Sequence, residues 1–191
     1  MRPTERIKEA QRVLEAEAKA IFASSKKIGL NFSKCVDLII DCKGTVVISG
    51  IGKSGNIGRK ITSTLASLGT PSIFLHTSDA FHGDLGILRK NDLLILISNS
   101  GETDELVRLL KYANKNGIKS IAITGKIDST INKKATCTLN AVVENEACPL
   151  NLAPTCSTSV TMALGDALAS ICAMERGFKA VSYTHLRAHE T

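Results

Sequence analysis

One lysine, two glutamates and several hydroxyl groups stand where they could bind an anion and move a proton. Lys53 lies in the stretch VVISGIGKSGNIGRK, which contains a literal G-x-G-x-x-G. A glycine-rich turn that opens a helix presents free N–H groups and the positive end of the helix dipole, and these groups bind phosphate readily. The stretch therefore predicts an anion site, without specifying the anion.

The second stretch of this kind is SNSGETDE, which directly follows the apolar run LLILI. Ser98, Ser100 and Thr103 place three hydroxyls around one glycine, whereas an ordinary helix N-cap needs a single Ser or Thr. A third hydroxyl-rich helix start follows Pro154 and includes Thr158. Several such helix starts at strand ends of one small sheet predict a phosphorylated metabolite in the crevice at that edge.

Two nucleotide-binding interpretations compete with this one. A P-loop has the pattern G-x-x-x-x-G-K-[ST], but Val47 stands where its first glycine is required, although Gly52, Lys53 and Ser54 supply its end. A dinucleotide site needs an acid at the end of the second strand, where this chain has His76. A third interpretation, that the glycines only pack helix against strand, explains a lysine in the turn poorly. We expect no nucleotide cofactor.

The elements that must position these residues form a repeating pattern. Five short runs, apolar at nearly every position, alternate with longer helical patterns, which is typical of strands buried on both faces of a parallel sheet. The runs are TVVIS (45–49), SIFL (72–75), LLILI (93–97), SIAIT (120–124) and CTLNAVV (137–143). The sequence predicts an α/β fold, a three-layer α/β/α sandwich with a five-stranded parallel sheet, preceded by N-terminal helices.

The first predicted helix is amphipathic, with Thr4 as its N-cap, and a second covers about residues 32–42. Apolar residues recur in the first helix at steps of three and four: Ile7, Ala10, Leu14, Ala18, Ile21 and Phe22. A helix placed ahead of the first strand often packs on a neighbouring subunit, so we expect a homo-oligomer. The last helix follows Pro154 and ends at a glycine.

Composition and charge limit the class of partner. The net charge is +6, but basic and acidic residues interleave, and the chain has no Trp and two Tyr, so nucleic acid is not the expected partner. The six cysteines show neither C-x-x-C nor zinc-finger spacing and indicate reduced cytoplasmic thiols. Because the N-terminus lacks a signal-peptide core and no apolar run approaches membrane-spanning length, we expect a soluble cytoplasmic protein without membrane contact.

Six motifs, in order and spacing, resemble one known family. They are GIGKSGNIGRK, GTPS, HGDLG, SNSGET, EACPLNLAPTCST and GDALA. Together they resemble the arabinose 5-phosphate isomerases of the sugar isomerase (SIS) domain family. The resemblance divides the chain into a helical segment (1–33) and a phosphosugar-binding SIS domain (34–180). It implies a tetramer without cofactor that interconverts D-ribulose 5-phosphate and D-arabinose 5-phosphate for 3-deoxy-D-manno-octulosonate and hence lipopolysaccharide synthesis.

The same resemblance implies roles for individual residues. It places Lys53, Glu105 and Glu146 at catalytic positions. The implied substrate-binding residues are Ser54, Gly69, Thr70, His76, His82, Ser98, Ser100, Thr103 and Thr158. His76 is also associated with an inhibitory zinc, although two histidines are too few for a structural or catalytic zinc site.

Aldose–ketose isomerisation moves a proton between C1 and C2 through an enediolate, which requires a carboxylate base and a positive group near the oxygens. The apolar run after Glu146 leads us to expect a raised pKa for this carboxyl and the role of base. Lys53 would stabilise the enediolate or contact the phosphate. Glu105 would be a second acid/base or an orienting partner, or would only complement a helix dipole.

The final eleven residues, VSYTHLRAHET (181–191), match the translation of a transposase-type sequencing adapter, and we interpret them as a non-native tail. The family's terminal histidine, in an SHPGG-like motif, is not reached before this tail, so we expect this chain to isomerise poorly. His185 lies near that distance but is not assigned the role. The alternative function is a non-catalytic phosphosugar sensor, which would not require Lys53 or Glu146.

Overall fold

A fully parallel, five-stranded sheet forms the centre of the protein. The computed structural model describes residues 1–81 and 83–178. The strands are β1 (Val46–Gly50), β2 (Ser72–Phe74), β3 (Leu93–Ser98), β4 (Lys119–Thr124) and β5 (Cys137–Asn140). Their order in the sheet is β2-β1-β3-β4-β5, and every neighbouring pair is parallel. All five predicted strands are present, although the fifth ends at Asn140 rather than Val143.

Helices cover both faces of this sheet, which confirms the predicted three-layer sandwich. They are α1 (Pro3–Ser25), α2 (Leu30–Ile40), α3 (Gly52–Ser67), α4 (Thr77–Ala80), α5 (Asp104–Lys115), α6 (Thr130–Lys134) and α7 (Cys156–Glu175), with a 3-10 turn at Asp84–Ile87. The expected N-cap at Thr4 is wrong. Helix α1 begins at Pro3 with Arg2 as N-cap, because proline suits the first helical position, whose N–H needs no partner.

Alternate residues of the central strands enter two separate cores. Ile95 and Ile97 of β3 pack in the core that holds α2, α3 and α7, whereas Leu94 and Leu96 pack in the core that holds α5. All six residues of β3 are buried. Near-continuous apolar runs are required because a parallel strand in this position has no solvated face.

Helix α7 is the one helix among the described residues that is long and apolar enough, by length and composition, to cross a membrane. The expectation that no apolar run approaches that length is therefore corrected. Helix α7 packs against α1, α2 and α3, and 56% of the apolar window is buried inside the domain. The apolar composition of α7 is therefore explained by its burial as a core helix of the domain.

Candidate active site

A crevice lies at the carboxyl end of the sheet, lined by the first turns of α3 and α7 and by residues at the ends of β3 and β4. Helix α3 leads from β1 to β2 on one side of the sheet, and α5 leads from β3 to β4 on the other. The chain thus turns in opposite directions at these two neighbouring strand ends, which is the place where open α/β sheets bind ligands. Polar residues along the crevice include Ser54, Asn99, Ser157 and Thr158. Its enclosed volume is about 20 Å³, so a larger ligand must lie across its mouth.

The glycine-rich turn after β1 serves both packing and the site. A Cβ at Gly55 would lie 2.8 Å from the carbonyl oxygen of Gly50, so the helix approaches the strand too closely for any side chain there. Gly52 begins α3 with a φ of +57°, a region that favours glycine. The packing interpretation therefore holds for Gly55, whereas Gly52 is explained by its backbone conformation. Lys53 is exposed and Ser54 half-buried on the first turn of α3, beside the crevice.

The loop from β3 to α5 is held in shape by its own hydroxyls. Ser98 is buried, and its Oγ accepts the Gly101 N–H at 3.0 Å and lies 3.0 Å from the Thr103 Oγ1. Ser100 is exposed, and its Oγ accepts the Glu102 N–H at 3.2 Å. Within the described residues no side chain caps α5. The first N–H groups of this helix therefore have no side-chain acceptor among the described residues, which is a condition for an anion site.

Glu105 lies in the first turn of α5 and is exposed, together with Asp104. Acidic residues in a first turn complement the helix dipole, so the dipole interpretation of Glu105 accounts for this placement. Its position beside the predicted phosphate loop also leaves it within the candidate site. The structure brings Lys53, Ser54, Glu105 and the residues of this loop to one edge of the sheet.

Glu146 is bound by the start of α7. Its Oε2 accepts the backbone N–H groups of Thr155, at 2.8 Å, and Ser157, at 3.1 Å, and the Thr155 hydroxyl at 3.1 Å. Its Oε1 accepts the Ser157 hydroxyl. Ser157 also lines the crevice, so Glu146 is connected to the crevice through a single residue. The hydroxyls of Thr155 and Ser157 were predicted to bind phosphate, and the sequence carries no signal that their partner is Glu146.

The expected raised pKa of Glu146 is wrong. Partial burial does raise the pKa of this carboxyl, but hydrogen bonds from the side chain and backbone of Ser157 and Thr155 outweigh burial and hold it below its usual value. Each of these donors stabilises the charged form. The apolar run that follows Glu146 in sequence does not surround it. Glu146 is therefore an ionised carboxylate at neutral pH.

The start of α7 is not a third phosphate site, contrary to expectation. Its N–H groups bind Glu146, and its other hydroxyls have partners as well. Thr158 donates to the Thr155 carbonyl at 2.8 Å, and Ser159 donates to Glu17 of α1 at 2.6 Å. A carboxylate of the chain itself thus occupies the helix terminus that we expected to bind substrate. Thr158 still lines the crevice.

The other predicted substrate residues are divided between the two edges of the sheet. His76 follows β2 at the carboxyl edge and is half-buried, with its ring centroid 6.4 Å from that of Phe74. Gly69 and Thr70 precede β2 and lie at the opposite edge. Thr70 is 1% exposed, and its hydroxyl accepts a 2.6 Å hydrogen bond from Arg176. The structure therefore does not bring Gly69 and Thr70 to the crevice of their own protomer.

The remaining sequence expectations involve a metal ion or residues that the structure does not describe. His82 lies outside the described residues, as do the predicted tail and His185. Among residues 1–81 and 83–178, no group of three or more His, Cys, Asp or Glu side chains is placed to hold a metal ion. His76 as a zinc-binding residue stays a prediction.

Comparison with known proteins assigns the chain and its fold to one family. The SIS domain family matches residues 38–171. The chain is 48% identical over 177 residues to the probable arabinose 5-phosphate isomerase of Haemophilus influenzae, covering 93% of this chain and 52% of that protein. It is also 48% identical over 177 residues to the arabinose 5-phosphate isomerase KdsD of Pseudomonas aeruginosa, covering 93% and 54%.

A solved structure agrees with this match. The E. coli CFT073 protein c3406, in complex with arabinose 5-phosphate, superposes with a TM-score of 0.94 at 36% identity, over 98% of this chain and all of that one. The chain spans about half the length of the curated relatives that it matches. The family match covers most of the chain and includes the parallel sheet and the helix starts after β1 and β3. The chain therefore belongs to the SIS domain family.

Proposed function

We propose that this chain is the phosphosugar-binding domain of an aldose–ketose isomerase that interconverts D-ribulose 5-phosphate and D-arabinose 5-phosphate. The names of the relatives, arabinose 5-phosphate isomerases, support the aldose of this pair. One observation carries the chemistry, namely an ionised carboxylate, Glu146, fixed by four hydrogen bonds beside an anion-type crevice. In a protein that only senses phosphosugar, this carboxylate would serve only to anchor the start of α7. The product would enter lipopolysaccharide precursor synthesis.

In the proposed mechanism the phosphate lies at the start of α5, against the loop of Ser98, Ser100 and Thr103. Glu146 removes the C2 proton of the aldose, and the electron pair moves into an enediolate whose negative oxygen faces Lys53. Returning the proton to C1 gives the ketose. The hydroxyl proton moves between O2 and O1 through a second acid/base, for which Glu105 is the candidate. No net oxidation takes place, so no cofactor is required.

The test is exchange of substrate protons with solvent. D-Ribulose 5-phosphate, incubated in D₂O with the full-length gene product, should give D-arabinose 5-phosphate carrying deuterium at C2, observed by NMR. Unphosphorylated arabinose should not react, because the phosphate supplies the binding. Phosphosugar binding without any exchange would instead favour the sensor function. Binding of NAD(P)H would favour an oxidoreductase.

We further propose that the protein is a cytoplasmic homo-oligomer, a tetramer, in which a second copy covers the outer face of α1. Ile7, Leu14 and Phe22 on this face are 59%, 69% and 65% exposed, while the opposite face of α1 packs on α7. An apolar stripe of this kind is typical of an interface. A second copy fits because it presents an identical stripe. Nucleic acid and membrane are not proposed as partners.

Replacing Leu14 and Phe22 together by Glu should shift the protein to a smaller species in light scattering, because two charges cannot be buried in an apolar contact. Lys111→Glu, which changes a charge on the exposed surface of α5 on the opposite side of the sheet, is the control and should keep the original mass. An unchanged mass in the double variant would show that the contact between subunits lies on another surface.

A further inference from the structure

Helix α1 reaches the peptide bond next to Glu146. The guanidinium Nη2 of Arg12 donates a 2.6 Å hydrogen bond to the carbonyl oxygen of Ala147, 135 residues away in the chain. Glu9, one turn earlier in α1, accepts hydrogen bonds from the same guanidinium at 2.7 to 3.0 Å. The orientation of Arg12 is therefore fixed from both sides, and one of its contacts is to the segment that carries the proposed base.

The peptide groups around Glu146 are held at several points. The Ala147 N–H donates to the Thr155 hydroxyl at 2.7 Å, and that hydroxyl donates to Glu146. The Glu146 N–H donates to the side-chain oxygen of Asn151 at 2.6 Å. Ala147 itself is 1% exposed. Its carbonyl has the hydrogen bond from Arg12, so loss of Arg12 would leave this carbonyl without that donor and free the segment to shift.

We infer that Arg12 is a positioning residue for Glu146, acting through Ala147 and Thr155. The inference rests on the proposed function, in which Glu146 is the base. A displacement of about 1 Å in a reacting group can cost on the order of 10²-fold in rate. Groups that orient a functional residue often contribute about 10–100-fold. The N-terminal helical segment, outside the family match at residues 38–171, would thus be part of the working site.

The simpler interpretation is that Arg12 and Glu9 form an ordinary ion pair on an exposed helix. A comparable pair lies at the start of α1, where Arg2, the N-cap, and Glu5 are three residues apart with the same N–O distance of 2.7 Å as Arg12 and Glu9, although in the opposite order. The hydrogen bonds of the Arg2 guanidinium go to Glu5, three residues away. Arg12 differs in its additional bond to Ala147.

The experiment compares Arg12→Met, Arg12→Lys and Arg2→Met in the full-length gene product. Arg12→Met should lower kcat by about 10–100-fold with KM changed by less than about threefold, because it misplaces the base and leaves the phosphate loop intact. Arg12→Lys should restore part of kcat, since an ammonium group can donate to the same carbonyl. Arg2→Met should match the wild type. Equal kcat values for Arg12→Met and Arg2→Met would overturn the inference.

Amide hydrogen exchange gives a readout that does not depend on turnover. In Arg12→Met the N–H groups of Ala147, Thr155 and Ser157 should exchange faster than in the wild type and in Arg2→Met. If the wild type shows no isomerisation, the proposed function fails, and this measurement alone decides the positioning role. Unchanged exchange at all three amides would then overturn it. Thermal melting within a few degrees of the wild type would confirm that the variants are folded.

Discussion

Glu146→Gln is expected to abolish isomerisation while the protein still folds and binds phosphosugar. Removing a general base costs about 10²–10⁴-fold in rate, and the amide cannot take up the C2 proton. Its carbonyl oxygen can still accept the N–H groups of Thr155 and Ser157, so the start of α7 keeps most of its hydrogen bonds. The phosphate loop after β3 is not altered. The effect should therefore fall on kcat and leave KM nearly unchanged.

The measurement is turnover and solvent exchange with both pentose 5-phosphates. Glu144→Gln is the matched control, since Glu144 is an exposed carboxylate two residues away, and this variant should retain the wild-type rate. Turnover that survives Glu146→Gln would remove Glu146 from the mechanism and leave it as an N-terminal anchor of α7.

The low pKa of Glu146 adds a second readout on the same variants. Because the pKa of this carboxyl is lower in the folded state than its ordinary value of 4.5, the folded protein binds the proton more weakly than the unfolded chain does. The resulting stability is complete above about pH 4.5 and is lost as the pH falls through the folded pKa. The difference in unfolding free energy between wild type and Glu146→Gln should thus be constant from neutral pH down to about pH 4.5 and shrink as the pH is lowered further.

Urea unfolding across this range measures that difference, with Glu144→Gln as the comparison. The lowered pKa also affects the pH dependence of activity. Because the carboxylate of Glu146 stays ionised down to low pH, the acid limb of the kcat profile should lie below about pH 4.5. An acid limb near neutral pH would mean that another group titrates as the base, or that substrate binding strips the hydrogen bonds from Glu146.

The fold could be predicted from sequence because its determinants are local. A run such as LLILI is apolar at every position, and the strand it forms is buried on both faces, so periodicity alone identified a parallel sheet. The β3–α5 loop could be predicted for the same reason, since its hydroxyls lie within six residues of one another. The glycines of the first turn also belong to one strand end and one helix start.

The environment of Glu146 depends instead on distant residues. Its four hydrogen bonds come from Thr155 and Ser157, nine and eleven residues later, and they exist only because α7 begins at that point in space. The apolar neighbours in sequence indicated the opposite pKa shift. Arg12 is farther still, and nothing in the pattern of α1 sets it apart from the other exposed charged residues of this helix. Such contacts follow from packing and carry no signal in the spacing of residues.

Lys53→Met is expected to produce the second large loss, on the order of 10²–10³-fold in kcat, as when a donor to a developing oxyanion is removed. Lys53 lies on the first turn of α3, which follows β1, and the start of α5, where the phosphate is proposed to bind, follows the neighbouring strand β3. The carbonyl end of the sugar would then face Lys53, and charge forms on that oxygen only as the proton leaves carbon. A group that acts on charge absent from the ground state lowers kcat when it is removed and leaves KM largely unchanged.

Steady-state kinetics distinguish this role from its alternative. If Lys53 contacts the phosphate instead, the substrate and the transition state lose the same interaction, so KM should rise while kcat stays within a few fold of the wild type. Lys8→Met, which removes an exposed lysine of α1, is the control for loss of surface charge and should change neither constant. Wild-type kinetics in Lys53→Met would leave a lysine in the glycine-rich turn without a catalytic purpose, and the enediolate would need a different positive group.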